Sequence, residues 1–259
     1  MNESSNINLL NKAFDIIELL TNNKKEMGVT EISRNLGLVK SGTFRILNTL
    51  KDRGFIFQNP RTKAYGLGIK FYFVGSQVQL SLPLCVAAKK VLNPLALELK
   101  ENLCLSIPFF NSSQRNEIII VHSTNFSGFN QNIFTSGMVI PSNTTAMGKC
   151  ILANMSDSEL QNIKGSELPK LQENTIVDWD ILFKQIENIR NKKVAFSTSE
   201  HFDSIMDIAV CVYDSMHYPI GSLSIVGHQT EIKAFSRDSL VRKLHAASAK
   251  ISDCLQVFN

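Results

Sequence analysis

Residues 30–53 read T-E-I-S-R-N-L-G-L-V-K-S-G-T-F-R-I-L-N-T-L-K-D-R, two helical patterns that meet at a glycine. Ile32 and Leu36 give the first an apolar stripe, and Thr30 is placed to cap it, its hydroxyl taking an otherwise orphan backbone N–H. Gly37 supplies the positive φ that ends a helix and turns the chain. In the second pattern Thr43, Ile46, Leu47 and Leu50 recur at helical spacing, with Ser41 as the expected cap. Its other face carries Lys40, Ser41, Phe44, Arg45 and Asn48. A narrow, cationic, hydrogen-bonding face of this kind suits a helix lying in a DNA major groove. A solvated helical hairpin would show the same pattern, so the neighbouring sequence has to decide.

Downstream, Phe55 to Gln58 alternate like a strand, Asn59-Pro60-Arg61-Thr62-Lys63 is a basic turn, and Tyr65 to Leu67 return. A hairpin directly after two such helices reads as a wing, with Arg61 and Lys63 reaching phosphates or the minor groove. Through Leu82 there are 11 Lys and Arg against 6 Asp and Glu; the rest holds 16 against 17. A basic first third on a near-neutral body points to a polyanionic partner at that end.

Upstream, a helix is expected over 7–20, with Leu10, Ala13, Ile16, Ile17 and Leu20 as its buried stripe, and a short strand over 27–29. Residues 69–82 are almost uninterruptedly apolar, which suggests a linker helix that packs on a second subunit. Pro83 begins a new segment. Helices are then expected over 84–100, with Pro94 as a kink or a fresh start, and over 144–154, 178–191 and 235–257. Ser156 caps another, and strands fall at 104–110, 117–123, 194–198, 207–213 and 220–226. Residues 125–137 read as a polar and aromatic loop. Strands in the middle and helices at both ends give an α+β sensor domain.

Several chemistries find no support. The five cysteines are scattered and form no Cys-x-x-Cys pair, as expected of reduced, buried thiols. Glu200, His201, Asp203 and Asp207 match no metal-ligand spacing. Lys149 lacks the glycine-rich run of a phosphate loop, and His122 has no nearby acidic partner for a triad. No apolar run spans a bilayer, and residues 1–8 lack signal-peptide order, so the cytoplasm is the expected compartment.

The chain resembles the IclR family of bacterial transcriptional regulators over nearly its whole length. The resemblance rests on residues 30–47, L-K-D-R-G-F-I, K-A-Y-G-L-G, the block G-M-V-I-P-S-N-T-T-A-M-G-K-C-I-L-A at 137–153, and I-M-D-I-A-V-C-V-Y-D with P-I-G-S-L-S-I-V-G within 205–227. It implies a winged helix–turn–helix domain at 6–68, a linker or dimerisation helix at 69–83, and a GAF/profilin-like effector-binding domain with a central antiparallel sheet at 84–259. It further implies a homodimer or dimer of dimers on a double-stranded operator, no cofactor and no turnover. The DNA-contact set is then Lys40, Ser41, Thr43, Phe44, Arg45, Asn48, Arg61 and Lys63.

In the family, an acidic ligand sits on free N–H groups at the start of the A-x-G-K helix. That maps to Ala146 and Met147, with walls at Ile140 and Ile205 and polar contacts at Ser197, Asp207 and Ser224. The chain departs from the pattern in several places. Gly42 and Thr43 stand where Thr and Val are usual. Ser197 stands where an acid can occur, Asp207 where Cys is common, and Val226 replaces the second Ser of S-x-S. If Asp207 faces the ligand, it favours a hydrogen-bond-donating metabolite such as a sugar-derived acid or polyol, since two facing carboxylates repel. The alternative is that Asp207 points at solvent or caps a backbone group. The rival functions are a small-molecule enzyme with a helical N-terminal appendage, and a metabolite-binding adaptor that touches no DNA.

Overall fold

The computed structural model describes residues 3–23, 25–109, 116–124, 133–214 and 216–256. The chain divides into two compact units, Met1–Leu80 and Ser81–Asn259.

The first unit holds α1 (Glu3–Asn23), α2 (Val29–Asn35), α3 (Lys40–Asp52), β1 (Ile56–Gln58), β2 (Tyr65–Leu67) and α4 (Lys70–Ser81). Its core is small: Ile16, Leu20, Met27, Ile32, Ile46, Leu47, Ile56 and Tyr65. Gly37 has φ +62° with open space where a Cβ would stand, so the turn asks for glycine through its backbone angle alone. Leu38 N then donates to Ser33 O at 2.8 Å and closes the α2–α3 turn. Met27 forms a two-way bridge with Tyr65 (2.9 and 2.8 Å), which adds a third short rung beside the antiparallel β1–β2 ribbon.

Three expectations need correction. Thr30 and Ser41 lie inside their helices; the cap positions are Gly28 and Val39, and neither helix has a side-chain cap. Leu10 is exposed, as are Leu9 and Phe14, so the buried stripe of α1 starts later than its spacing suggests.

The second unit holds α5 (Pro83–Leu99), β3 (Asn102–Phe109), β4 (Glu117–Ser123), β5 (Val139–Pro141), a 3-10 turn (Ser142–Thr144), α6 (Ala146–Ala153), α7 (Asp157–Ile163) and α8 (Trp179–Lys192). It continues with β6 (Ala195–Thr198), β7 (Ile205–Tyr213), β8 (Pro219–His228), α9 (Gln229–Ala234) and α10 (Arg237–Gln256). The strands form one antiparallel sheet in the order β5-β4-β3-β8-β7-β6. Leu103, Leu105, Met206, Ile208, Val210, Leu223 and Ile225 pack on α5 and α10. Cys104, Ala195, Ala209, Cys211 and Val226 face the other way, toward α6 and α8. With helices on both faces, the central strands are buried on both sides, and β7 reads as an apolar run broken only by Asp207. By the period-2 alternation of the strand, Asp207 shares the α6 side with Ala209 and Cys211. Pro94 sits inside a continuous α5 and starts no new segment. Ser156 and Glu159 form a full capping box on α7. The edge strand β5 and the short helix α9, capped by His228, have no counterparts among the expected elements. Of the expected loop at 125–137, residues 125–132 lie outside the described residues, as do Phe110 and most of the β3–β4 connection.

Candidate functional sites

In the first unit α3 is two-faced. Thr43, Ile46 and Leu47 are buried, while Lys40, Ser41, Phe44 and Arg45 are exposed and Asn48 is half-exposed. Thr43 is only 1% exposed, and its hydroxyl donates to Val39 O at 3.2 Å; it is a core residue and leaves the DNA-contact set. The other four, with Asn48, share one side of the helix, as their spacing requires. No side chain caps α3, so its first N–H groups stay open beside Lys40 and Ser41.

The hairpin tip is built rather than loose. Asn59 Oδ1 accepts from Arg61 N (2.9 Å) and Thr62 N (3.2 Å), and its Nδ2 donates to Glu26 Oε2 (2.8 Å). Lys63 takes φ 59°, and its carbonyl accepts from Gln58 Nε2 at 3.0 Å. The Arg61 and Lys63 side chains are left exposed on this fixed turn.

In the second unit the start of α6 is a sealed polar site. Thr145 is the N-cap, its Oγ1 accepting from Gly148 N at 3.1 Å. A Cβ on Gly148 would stand 2.3 Å from Ser142 Cα, so glycine lets the helix close on the preceding turn. Asp207 Oδ2 accepts from Ala146 N at 2.7 Å and Met147 N at 3.3 Å. Asp207 is therefore the backbone cap that its sequence left open as an alternative. Ser197 stands directly opposite it across β6–β7. Ser224, opposite Ala209, lies on the same face; its Oγ is buried without a partner. Ile140 and Ile205 join the same cluster as Ala146 and Met147. All seven expected ligand-site residues thus lie on the α6 side of the sheet or at the start of α6.

Five further residues belong to this site, Lys149, Gln185, Glu200, His201 and Thr144, none of which the sequence pattern assigns to it. Lys149 is fully buried, and its Nζ donates to Glu200 Oε1 at 2.6 Å and Gln185 Oε1 at 3.1 Å. Glu200 Oε2 has no partner. His201 Nδ1 meets Thr144 Oγ1 at 2.8 Å, and that hydroxyl donates to Pro141 O. The Nδ1 atom must then carry the ring proton. Burial pulls His201 down to about 4, so the ring is neutral. For Asp207, burial pushes the carboxyl up and Glu200 adds to it. Lys149 and the two N–H groups pull the other way, and the balance lies at about 7. A lysine inside an otherwise apolar helical block was the available signal for a buried counter-ion.

A pocket of about 10 Å³, roughly one water, lies between Cys104, Phe134 and Val226, lined by β3, β4 and β8 and by no residue of α6. A cavity of about 510 Å³ lies by the C-terminal end of α6, against Ile107, Ile151, Met155, Ile163 and Tyr218. Among the described residues, no group of three or more His, Cys, Asp or Glu is placed to hold a metal.

Two family profiles match the chain. One, described as the bacterial transcriptional regulator IclR C-terminal domain, covers residues 77–253. The other, the IclR helix-turn-helix domain, covers residues 9–60. The chain is 27% identical over 243 residues to the HTH-type transcriptional regulator KdgR of Escherichia coli (strain K12), covering 93% of this chain and 90% of that protein. Its fold is similar to that of an IclR transcriptional regulator from Alicyclobacillus acidocaldarius (TM-score 0.80, 22% identity, 95% and 98% of the two chains). It is also similar to that of an IclR homologue from Microbacterium hydrocarbonoxydans solved with 4-hydroxybenzoate (TM-score 0.80, 16% identity, 96% and 99%).

Proposed function

The chain belongs to the IclR family and is a DNA-binding transcriptional regulator, not an enzyme; from that premise we propose that α3 reads an operator and that a small polar metabolite bound near α6 controls it. The observation that carries the reading is the division of α3: apolar and Thr43 side chains hold it to its own unit, while Lys40, Ser41, Phe44, Arg45 and Asn48 stay clear. Arg45 and Asn48 supply base-edge hydrogen bonds and Phe44 meets a thymine methyl. Lys40, Arg61 and Lys63 meet phosphates.

The protein works as a homodimer or a dimer of dimers. Tyr72, Phe73, Val78 and Leu80 on α4, with Leu9, Leu10 and Phe14 on α1, are exposed apolar side chains that a second subunit would cover. No single helix among the described residues is long and apolar enough to cross a membrane; we place the protein in the cytoplasm as the regulator of a catabolic operon. The relative that holds 4-hydroxybenzoate supports a small organic effector. For this chain we favour one that donates hydrogen bonds, of the polyol or sugar-derived class.

Selection of duplexes from a random pool by the full chain, followed by footprinting, tests the reading. The expected product is a pseudo-palindrome whose half-sites lie about one helical turn, or a multiple, apart. A pool with no enriched sequence would contradict it.

A further inference from the structure

The first-turn donors of α6 are all in use. Ala146 N and Met147 N go to Asp207 Oδ2, Gly148 N to Thr145 Oγ1, and Lys149 N to Thr145 O at 3.0 Å. The cation of the site is spent as well, since Lys149 Nζ is held by Glu200 and Gln185. A small acid arriving here would find no free N–H pair and no free ammonium. It would meet two carboxyl groups already in place, Asp207 and Glu200, in a setting where like charges repel strongly. Two buried oxygens on this side of the sheet have no hydrogen-bond partner, Ser224 Oγ and Glu200 Oε2, and both can accept.

We propose that Asp207 is a built-in occupant of the anion subsite: its carboxylate takes the place of a ligand's acid group, so the site excludes small carboxylates and admits neutral hydrogen-bond donors. This rests on the start of α6 being the effector site. It narrows the ligand class from sugar-derived acids and polyols to the uncharged members. Asp207 acts as a specificity-determining residue. It does so because it reaches the helix from a strand 61 residues away in sequence, with a carboxylate as large as the one it displaces.

The test uses the full chain with formate, acetate and pyruvate as probes, against chloride at matched ionic strength. Asp207→Ala removes a formate-sized group and frees the two N–H donors. Formate is expected to raise the melting temperature of Asp207→Ala and leave the wild type unmoved, because only a ligand of the folded state stabilises it. Calorimetry is expected to show carboxylate binding at least about tenfold tighter in the variant. Asp207→Asn, which keeps the volume and one acceptor oxygen, is expected to reject the acids as the wild type does. Should Asp207→Ala fail to fold in chloride, its recovery in formate supports the proposal, and failure in formate overturns it. Equal carboxylate binding by wild type and Asp207→Ala, or none by either, also overturns it. A plain structural cap would lose stability on substitution without selective rescue by carboxylate. These readouts need no DNA, so a missing operator would sink the regulatory reading and leave this one standing. Rescue by formate with no effect on operator binding would show that the start of α6 holds an anion subsite but not the effector switch.

Discussion

Two helix starts in this protein put the same physics to opposite uses. The start of α3 has no side-chain cap and carries Lys40 and Ser41 in the open. The start of α6 is buried, capped by Thr145, and filled by Asp207. Both present N–H groups and the positive end of a helix dipole. One keeps them available for an outside polyanion; the other uses them within the chain. The lesson is that a helix N-terminus indicates where an anion can sit, and the surrounding chain determines whether a ligand or a side chain takes the place.

The largest effect expected from disturbing this contrast lies in the sealed site. Lys149→Met leaves Glu200 buried without its partner, and is expected to cost about 3–5 kcal/mol of stability. Chemical denaturation followed by the fluorescence of Trp179, which lies in the second unit, measures it. A loss below about 1 kcal/mol would mean that Glu200 finds another partner or takes up a proton. On the open side, Arg61→Ala or Lys63→Ala is expected to weaken operator and random duplex alike, and to lower the salt slope by about one. Anisotropy titrations at several salt concentrations read both quantities, and selective loss of operator binding would place these side chains on bases instead.

A third test uses pH. Asp207 holds its proton more tightly folded, at about 7, than at its ordinary value of 3.8. Its contribution to stability is therefore complete below about pH 4 and lost as pH rises through about 7. His201, pulled down to about 4, acts in the opposite direction, since its folded state resists protonation below the ordinary 6.5. The difference in melting temperature between wild type and Asp207→Asn isolates the first term. The wild type is expected to lose ground steadily from about pH 4 to 7, and a flat difference would contradict the assignment. The smallest effect is expected at Gly42, where a Cβ meets nothing within 4 Å. Gly42→Ala in the first turn is expected to stabilise by under about 1 kcal/mol, visible as a small rise in melting temperature.

Local signals made the first unit legible. Gly37, the spacing of Ile46 and Leu47, and the Asn59-Pro60 turn each act within a few residues, and α2, α3 and the hairpin follow from them. The caps were misread because Thr30 and Ser41 are good capping residues by type. The backbone leaves its extended conformation at Gly28 and Val39 instead. Thr43 was both a core residue by its spacing and a contact by its position, and burial resolves it. In the second unit β3, β4, β6, β7, β8 and the Ser156 cap were also readable, while the three-residue edge strand β5 was too short to leave an alternation. The ion pair was not, because Lys149 and Glu200 are 51 residues apart and only the sheet brings them together. Asp207 is the intermediate case. Its break in an apolar strand could be seen in the sequence, but its partners Ala146 and Met147 could not.

The central claim is that the exposed side of α3 reads sequence. It is tested most directly by one titration of wild type and Arg45→Ala against the selected operator and a scrambled duplex at fixed salt. The account predicts that Arg45→Ala loses about 1–3 kcal/mol on the operator and much less on the scrambled duplex. Operator binding by Arg45→Ala equal to that of the wild type would contradict it.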